Sequence, residues 1–245
     1  MEKTETMKTF LEYWNIVKDE VRVNADQTGN RAVFTFGRLN PPTIGHAKLI
    51  DATISAAKRD GADYYIFVSQ TGPEKSKKDG DGFRKDPLAY NDKLNFLEKM
   101  FPNVNFMHVE MANNPFNAAY WLRDNGYKHV KLIAGSDRIP QYESQFAKYI
   151  QHDDPKLNLG FESFQVISAG ERDPDADGAE GASASKAREF VKMDDYNGFL
   201  NIIPNTLTRD QADDLFARVR GGMISGMDED KAAELFNQYR KRLEA

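Results

Sequence analysis

The chain has 245 residues, of which 40% are hydrophobic and 29% are charged, a balance typical of one sizeable globular domain with or without terminal additions. Its formal net charge of −5 argues against general electrostatic binding to DNA or RNA, because such binding requires a basic surface that neutralises phosphates. The absence of cysteine excludes disulfide bonds, thiolate catalysis and Cys-ligated zinc.

Targeting and membrane signals are missing from the sequence. No apolar run approaches the roughly 20 residues that would span a bilayer, and the N-terminus lacks the basic-then-apolar layout of a secretory signal. We therefore expect a cytoplasmic protein with no membrane partner. The sequence leaves the oligomeric state open and is compatible with a homo-oligomer.

The first predicted element is an amphipathic helix over residues 5–21, where Met7, Phe10, Trp14 and Val17 recur at spacings of three and four. An apolar, β-rich run over 32–36 predicts a strand that ends at Gly37. The elements predicted after it are helices at about 45–59, 90–101, 115–124, 208–219 and 228–243, and strands at 64–68, 104–109, 130–134 and 164–167.

Strands that alternate with helices of about a dozen residues imply βαβ units, and therefore a parallel sheet covered by helices on both faces. We predict a Rossmann-like α/β domain over residues 30–193, between an N-terminal helical extension over 1–29 and a C-terminal helical appendage over 194–245. Ligands of such sheets bind at the carboxyl ends of the strands. The candidate motifs that follow a predicted strand are therefore of most interest.

The first motif runs from Gly37 to His46 and reads GRLNPPTIGH. Gly37 lets the backbone come close to a ligand, and the two prolines stiffen the turn. Gly45 and His46 open a helix whose free N–H groups and dipole favour phosphate. An imidazole there can donate to a phosphate oxygen that gains charge in a transition state. A histidine at a helix start also serves for capping or packing, but the Gly-Pro-Thr context favours the functional interpretation.

The second motif is Ser183-Ala184-Ser185-Lys186-Ala187-Arg188, which leads into a predicted helix. Ser183 and Ser185 are natural N-caps, and capping alone would explain them. Lys186 and Arg188 add cations in the first turn, where the helix dipole disfavours them, so a bound polyanion would resolve the conflict.

At these two places the chain resembles the nucleotidylyltransferase superfamily, whose members carry (H/T)-x-G-H after the first strand and an S-S-T-x-x-R-like helix start near the end of the domain. Thr43 and His46 match the first pattern, and Ser183 and Arg188 match the second together with Ser185. The middle serine of the second pattern is replaced by Ala184.

The resemblance implies a direct in-line attack by an acceptor phosphate on the α-phosphorus of a nucleoside triphosphate, with Mg²⁺ on the triphosphate and no covalent enzyme intermediate. It assigns catalysis to His46, Arg188 and Thr43: His46 would steady the α and β phosphates, and Arg188 the β and γ phosphates. The residues that it places beside the nucleotide or acceptor are Gly37, Arg38, Asn40, Gly45, Gly135, Asp137, Arg138, Ser183, Ser185 and Lys186.

A longer resemblance, to bacteriophage-encoded cytidylyltransferase-like proteins, rests on FGRLNPPTIGH, on SQT followed by KDPLAYNDK, and on SASKAR followed by DDYNGF. It leaves the acceptor open. The pattern G-R-x-x-P-x-x-x-G-H resembles nicotinamide mononucleotide adenylyltransferases, and Thr43 is also found in phosphopantetheine adenylyltransferases, so both analogies favour ATP. We expect ATP and nicotinamide mononucleotide as partners. The alternatives are a phosphopantetheine adenylyltransferase, a CTP-dependent cytidylyltransferase, and a non-catalytic, virion-associated nucleotide-binding protein.

Three further segments carry weaker expectations. Gly135 to Arg138 follows a strand and resembles the segment that meets the nucleotide, although a capped turn with a local Asp–Arg pair fits equally. Lys85 ends a basic, glycine-rich stretch over 75–85 that is typical of a mobile lid or of a solvated loop, and we expect it to meet the acceptor phosphate. Trp121 is expected to stack on the pyridinium ring, with core packing as the alternative.

An acidic segment over 173–180 imitates the start of an EF-hand loop with Asp173, Asp175 and Asp177. The imitation fails at Ala184, where a bidentate glutamate is required. We therefore expect no protein-bound metal, and we interpret the segment as a flexible loop that gates entry of the triphosphate.

Overall fold

The structure is a computed structural model, and it describes residues 29–170 and 182–243. The helix predicted over 5–21 and the acidic segment over 173–180 lie outside the described residues. Among the described residues, no helix combines the length and the apolar character that crossing a membrane requires.

Five strands form one parallel sheet. They are β1 (Arg31–Gly37), β2 (Asp63–Val68), β3 (Phe106–Met107), β4 (His129–Ala134) and β5 (Ser163–Ser168). Their order is β3-β2-β1-β4-β5, and each neighbouring pair is parallel. This is the Rossmann strand order with five of its six strands, and the strand order switches direction between β1 and β4. The predicted Rossmann-like fold is confirmed.

Eight α-helices accompany the sheet in the described part of the chain. They are α1 (Gly45–Asp60), α2 (Tyr90–Met100), α3 (Pro115–Asp124), α4 (Ile139–Ile150), α5 (Ala184–Met193), α6 (Tyr196–Asn201), α7 (Arg209–Met223) and α8 (Glu229–Leu243). A 3₁₀ turn over Ser136–Arg138 leads into α4. The short helix α6 and the longer α4 are additions to the elements predicted from the sequence.

Strand β3 is shorter than the six residues predicted for it. Only Phe106 and Met107 pair with β2, because the carbonyl groups that follow are used elsewhere. The side-chain amide of Gln70 donates to the carbonyl oxygens of Val109 and Glu110 at 3.1 and 2.8 Å. The end of the predicted strand is therefore held by the side chain of Gln70, which follows β2, and not by pairing with β2 itself.

Helices cover both faces of the sheet. On one face Phe34 and Leu132 pack with Leu122 of α3 and Phe146 of α4. On the other, Ile66 of β2 packs with α1 and α2. Alternating side chains of β1 supply both sides, because Val33 belongs to a small cluster under α1. The sheet is therefore buried between two helical layers, as parallel sheets require.

The helices after residue 193 share the main core. Phe199, Leu215, Val219 and Phe236 belong to the same cluster of buried residues as Ile50 of α1. The domain boundary at 193 stays a prediction. In terms of packing, α6, α7 and α8 continue the core of the sheet domain.

Candidate active site

The turn between β1 and α1 carries the first motif to the carboxyl edge of the sheet. Leu39 in this turn is buried and has a φ of +46°, and a Cβ on Gly37 would lie 2.9 Å from its Cδ2 atom. Real Cβ atoms do not approach that closely, so a larger residue at position 37 would displace the Leu39 side chain. The expected contact of the Gly37 backbone with a ligand stays a prediction.

His46 is oriented by Thr43, whose side chain is fully buried. The backbone N–H of Thr43 donates to Nδ1 of His46 at 2.9 Å, and Thr43 Oγ1 lies 3.1 Å from the same nitrogen. Because a backbone N–H can only donate, Nδ1 must accept, and the proton of the neutral imidazole then lies on Nε2. The first turn of α1 therefore presents a histidine in the tautomer that donates from Nε2.

Arg188 lies in the first half of α5 and is only 8% exposed. Its Nη1 donates to the carbonyl oxygen of Asn40 at 2.8 Å, and its Nη2 donates to Ser185 Oγ at 3.0 Å. Ser183 caps the helix, because its Oγ accepts from the backbone N–H of Lys186 at 3.0 Å. Burial, and after it the charge of Arg38, lower the pKa of Arg188.

The two motifs meet at the carboxyl edge of the sheet. Arg188 and Asn40 are 148 positions apart, and Thr43 Oγ1 approaches the carbonyl oxygen of Ala182 to 3.5 Å. The segment after α6 adds a third connection, since the backbone N–H of Ile44 donates to the carbonyl of Ile202 at 2.9 Å. The histidine, the arginine and the starts of α1 and α5 are thus neighbours.

Asn40 connects this centre to the segment over 85–88. Its Nδ2 donates to the carbonyl of Leu88 at 3.0 Å, and its Oδ1 accepts from the Leu88 N–H at 2.9 Å. Asn40 is only 1% exposed. Its side chain therefore holds two protein segments together, and the expected contact with nucleotide or acceptor stays a prediction.

Two charged residues that the sequence analysis missed lie next to this connection. Asp86 is buried and its Oδ2 lies 3.6 Å from Nη1 of Arg38, whose side chain is 58% exposed. Lys93 of α2 is fully buried, and its Nζ donates to the carbonyl of Ser69. Burial lowers the pKa of Lys93 to about 8, although the charge of Asp86 opposes this shift.

A sequence signal for Lys93 does exist. Lys93, Leu97 and Met100 recur at helical spacing and all three are buried in α2. A lysine on the apolar stripe of a helix conflicts with the pattern around it, and such conflicts are typical of functional positions. No comparable local signal marks Asp86.

The basic stretch over 75–85 folds as an anchored hairpin. Lys78 and Arg84 form an antiparallel bridge, and Arg84 donates from its backbone to the Met223 carbonyl and from Nε to the Ser225 carbonyl, both at 2.9 Å. At its tip, Lys192 of α5 lies 2.8 Å from carboxylates of both Asp79 and Asp81. The stretch is therefore fastened by α5 and the end of α7. Lys85 is half-buried at its base.

The remaining predicted residues lie in different surroundings. Gly135, Asp137 and Arg138 follow β4, the strand beside β1, and Asp137 pairs with Arg138 at 3.2 Å. That local pair is what the capped-turn alternative predicts. The ring of Trp121 packs edge-on against Tyr65 and Phe67 of β2, which are the contacts expected of a core residue. Within the described residues, no group of three or more His, Asp or Glu side chains could hold a metal ion.

Comparison of the sequence with protein-family models and with curated proteins finds no match. Two solved structures with a similar fold are both of a Plasmodium falciparum nicotinic acid mononucleotide adenylyltransferase. The structure complexed with APC has 13% identity and a TM-score of 0.48, over 77% of this chain and 95% of that chain. The structure complexed with NaAD has 12% identity and a TM-score of 0.49, over 79% and 97%. At these identities neither likeness assigns a substrate or a site residue to this chain.

Proposed function

We propose that the chain is a nucleotidyltransferase that transfers AMP from ATP to the phosphate of nicotinamide mononucleotide and releases pyrophosphate. The observation that carries the proposal is the meeting of the two motifs, in which Arg188 donates to the carbonyl of Asn40 and Thr43 fixes the tautomer of His46. A histidine donor, a buried cation and two helix starts at one edge of a parallel sheet are suited to a polyphosphate.

The proposed reaction needs little covalent chemistry from the protein. An oxygen of the acceptor phosphate attacks the α-phosphorus, the bond from that phosphorus to the bridging oxygen breaks, and pyrophosphate leaves with the oxygen. His46 donates from Nε2 to a phosphate oxygen that gains charge, and Arg188 neutralises the β and γ phosphates. Mg²⁺ enters as part of the substrate, on the triphosphate. Positioning and charge stabilisation then lower the barrier.

The nucleotide and the acceptor are assigned from the motif resemblance together with the surroundings of each residue. Gly135, Asp137 and Arg138 would contact the nucleotide from the end of β4, and Lys186 would add charge at the start of α5. Arg38 and Lys85 would face the acceptor phosphate, since Arg38 pairs with Asp86, the residue that follows Lys85.

A screen of pyrophosphate release tests the proposal. ATP and CTP are each combined with nicotinamide mononucleotide, nicotinic acid mononucleotide, phosphopantetheine and glycerol phosphate. We expect ATP with nicotinamide mononucleotide to release pyrophosphate and to form NAD in equal amounts, with NAD measured by a dehydrogenase cycling assay. The His46→Ala variant, purified in the same way, is the control for contaminating host enzymes.

The outcomes separate the alternatives. Pyrophosphate release with CTP would support a nucleotidyltransferase but reject ATP as its nucleotide. Release with another acceptor would reject nicotinamide mononucleotide in the same way. If no pair releases pyrophosphate while calorimetry detects ATP binding, the chain is a non-catalytic nucleotide-binding protein and the proposed function is wrong.

A further inference from the structure

Three cations interact electrostatically with one carboxylate beside the first motif. Arg38 lies 3.6 Å from Asp86, and the charge of Asp86 also acts on Lys93 and on Arg188. Arg38 in turn lowers the pKa values of both Lys93 and Arg188, so Arg38 is repelled by both buried cations. Asp79 and Glu189 also act on Arg188, but Arg38 and Lys93 together carry more positive charge than Asp86 offsets.

Arg38 is the least constrained of these three cations. Lys93 and Arg188 are buried and hydrogen-bonded to the carbonyls of Ser69 and Asn40. The Arg38 side chain is more than half exposed, and its two buried neighbours would push it towards solvent. Asp86 supplies the opposing attraction at 3.6 Å, which is too long for a hydrogen bond and is therefore a charge interaction.

Asp86 itself is held firmly. Ser76 Oγ donates to its Oδ2 at 3.1 Å and accepts from its backbone N–H at 2.7 Å. Pro87, the next residue, packs directly against α7, since a Cβ on Gly222 would lie 1.8 Å from its carbonyl oxygen. The carboxylate is therefore fixed by the hairpin and by α7, independently of Arg38.

Asp86 also keeps unused capacity for hydrogen bonding. Its Oδ1 is buried and has no partner among the described residues. A buried polar atom without a partner is costly, and such atoms occur where a further group completes the site. A guanidinium that moves closer when its outer face meets a phosphate would use this oxygen, because arginine and carboxylate form paired hydrogen bonds.

We propose that Asp86 is a positioning residue that holds Arg38 beside two buried cations, so that the guanidinium meets the dianionic phosphate of the acceptor. This inference rests on the proposed function and adds to it a residue that positions Arg38 for the acceptor phosphate. The negative charge of the phosphate would offset the excess positive charge of the group.

The test compares Asp86→Asn with the unmodified chain. Asparagine keeps one oxygen for Ser76, removes the charge and replaces the second carboxylate oxygen by an NH2 donor. We expect the KM for nicotinamide mononucleotide to rise about tenfold, as loss of one charge-assisted contact predicts, while kcat and the KM for ATP change by less than about twofold. Binding of nicotinamide riboside, which lacks the phosphate, should be unchanged.

A double-mutant cycle separates a positioning role from a structural one. Arg38→Ala should raise the same KM, and adding Asp86→Asn to it should have no further effect if Asp86 acts through Arg38. Additive losses, equal changes in the two KM values, or an unchanged KM for nicotinamide mononucleotide would each overturn the inference. Asp60→Asn is the matched control. Asp60 is the last residue of α1 and pairs with Lys131 of β4, away from the end of the sheet that carries the two motifs.

Two measurements keep the inference separate from the proposed function. Binding of inorganic phosphate is measured by calorimetry in each variant, so that Asp86 is tested even if no NAD forms. If Asp86→Asn does not fold, Ser76→Ala replaces it, and we expect a rise of about threefold in the same KM because the carboxylate loses its hydroxyl donor. An unchanged KM in folded Ser76→Ala would then reject the inference.

Discussion

At the start of α5, Ser183 caps the helix, Ser185 accepts from Arg188, and Arg188 also reaches the carbonyl of Asn40. At the ends of β1 and β2, by contrast, Oδ1 of Asp86 has no partner among the described residues, and Arg38 stands 3.6 Å from the other oxygen. In the first region these polar groups have hydrogen-bond partners without a ligand, whereas the second region retains excess positive charge. We therefore expect substitutions in the two regions to separate binding of the triphosphate from binding of the acceptor.

The largest effect is expected at His46, which adjoins both regions. His46→Ala should lower kcat by about 100- to 1,000-fold, because loss of one donor to a charge that develops in the transition state has this effect. His46→Gln, which keeps an N–H donor, should recover part of the rate. The measurement is pyrophosphate release at saturating substrates.

Thermal unfolding of the His46 variants shows whether the fold is intact. His129→Ala is the matched control, since His129 begins β4 at the opposite edge of the sheet and should turn over normally. A folded His46→Ala variant with near-normal kcat would remove His46 from the mechanism.

The second effect concerns stability and sharpens the contrast between the regions. Burial lowers the pKa of Lys93 from 10.5 to about 8, so the folded state disfavours the charged lysine. Burial of Lys93 therefore costs no stability above its unfolded pKa of 10.5, where the lysine is neutral in both states. The free energy of unfolding falls as the pH is lowered from there through about 8. Lys93→Met should therefore raise the free energy of unfolding at pH 7 by up to about 3 kcal/mol.

Urea unfolding at two pH values tests the prediction for Lys93. The advantage of Lys93→Met should shrink between pH 7 and pH 10, because the wild-type lysine loses its proton in the folded state over this range. Lys99→Met, at an exposed position of the same helix, should show no such dependence. A Lys93→Met variant that is less stable at pH 7 would mean that the bond to Ser69 outweighs the burial of the charge.

Much of the fold follows from local sequence patterns. The helix predicted over 115–124 has the same bounds in the structure, where Asn114 caps it and Pro115 opens it. Helix α4 was not predicted, although Tyr142, Phe146 and Tyr149 recur at helical spacing; only Phe146 of the three is fully buried, so the apolar stripe is weak.

In the candidate site, too, local sequence patterns indicate some residues and miss others. The places of Ser183, Arg188 and His46 near helix starts could be predicted because capping and helix-start signals lie within a few neighbouring residues. Asp86 could not, because its role depends on a hairpin, on Ser76 and on the packing of α7, which no local pattern specifies. Trp121 was predicted to stack on a ligand, and its observed contacts with Tyr65 and Phe67 depend on the register of α3 against the sheet.

The third effect is expected at Arg188. Arg188→Ala should weaken ATP binding by about 30-fold, as loss of contacts to a charged group predicts, and should weaken AMP binding much less because AMP lacks the β and γ phosphates. Arg188→Lys keeps the charge but cannot serve both Asn40 and Ser185, so its loss should be intermediate.

Calorimetry with ATP, a non-hydrolysable analogue and AMP measures this difference. Arg209→Ala, which removes an exposed arginine from the start of α7, should bind all three ligands normally. Equal losses for the three ligands in Arg188→Ala would show that the residue supports the fold and not the terminal phosphates.

The smallest effects are expected at the two serines, and they differ in kind. Ser183→Ala removes the helix cap and should lower the free energy of unfolding by about 1 kcal/mol. Ser185 is exposed and its loss should change stability by less than about 0.5 kcal/mol. Because Nη2 of Arg188 would lose its acceptor, Ser185→Ala should instead raise the KM for ATP by about threefold and leave the acceptor KM unchanged. Urea unfolding and initial rates on both variants decide the matter: if Ser185→Ala shifts the acceptor KM as much as the ATP KM, the two regions are not separate.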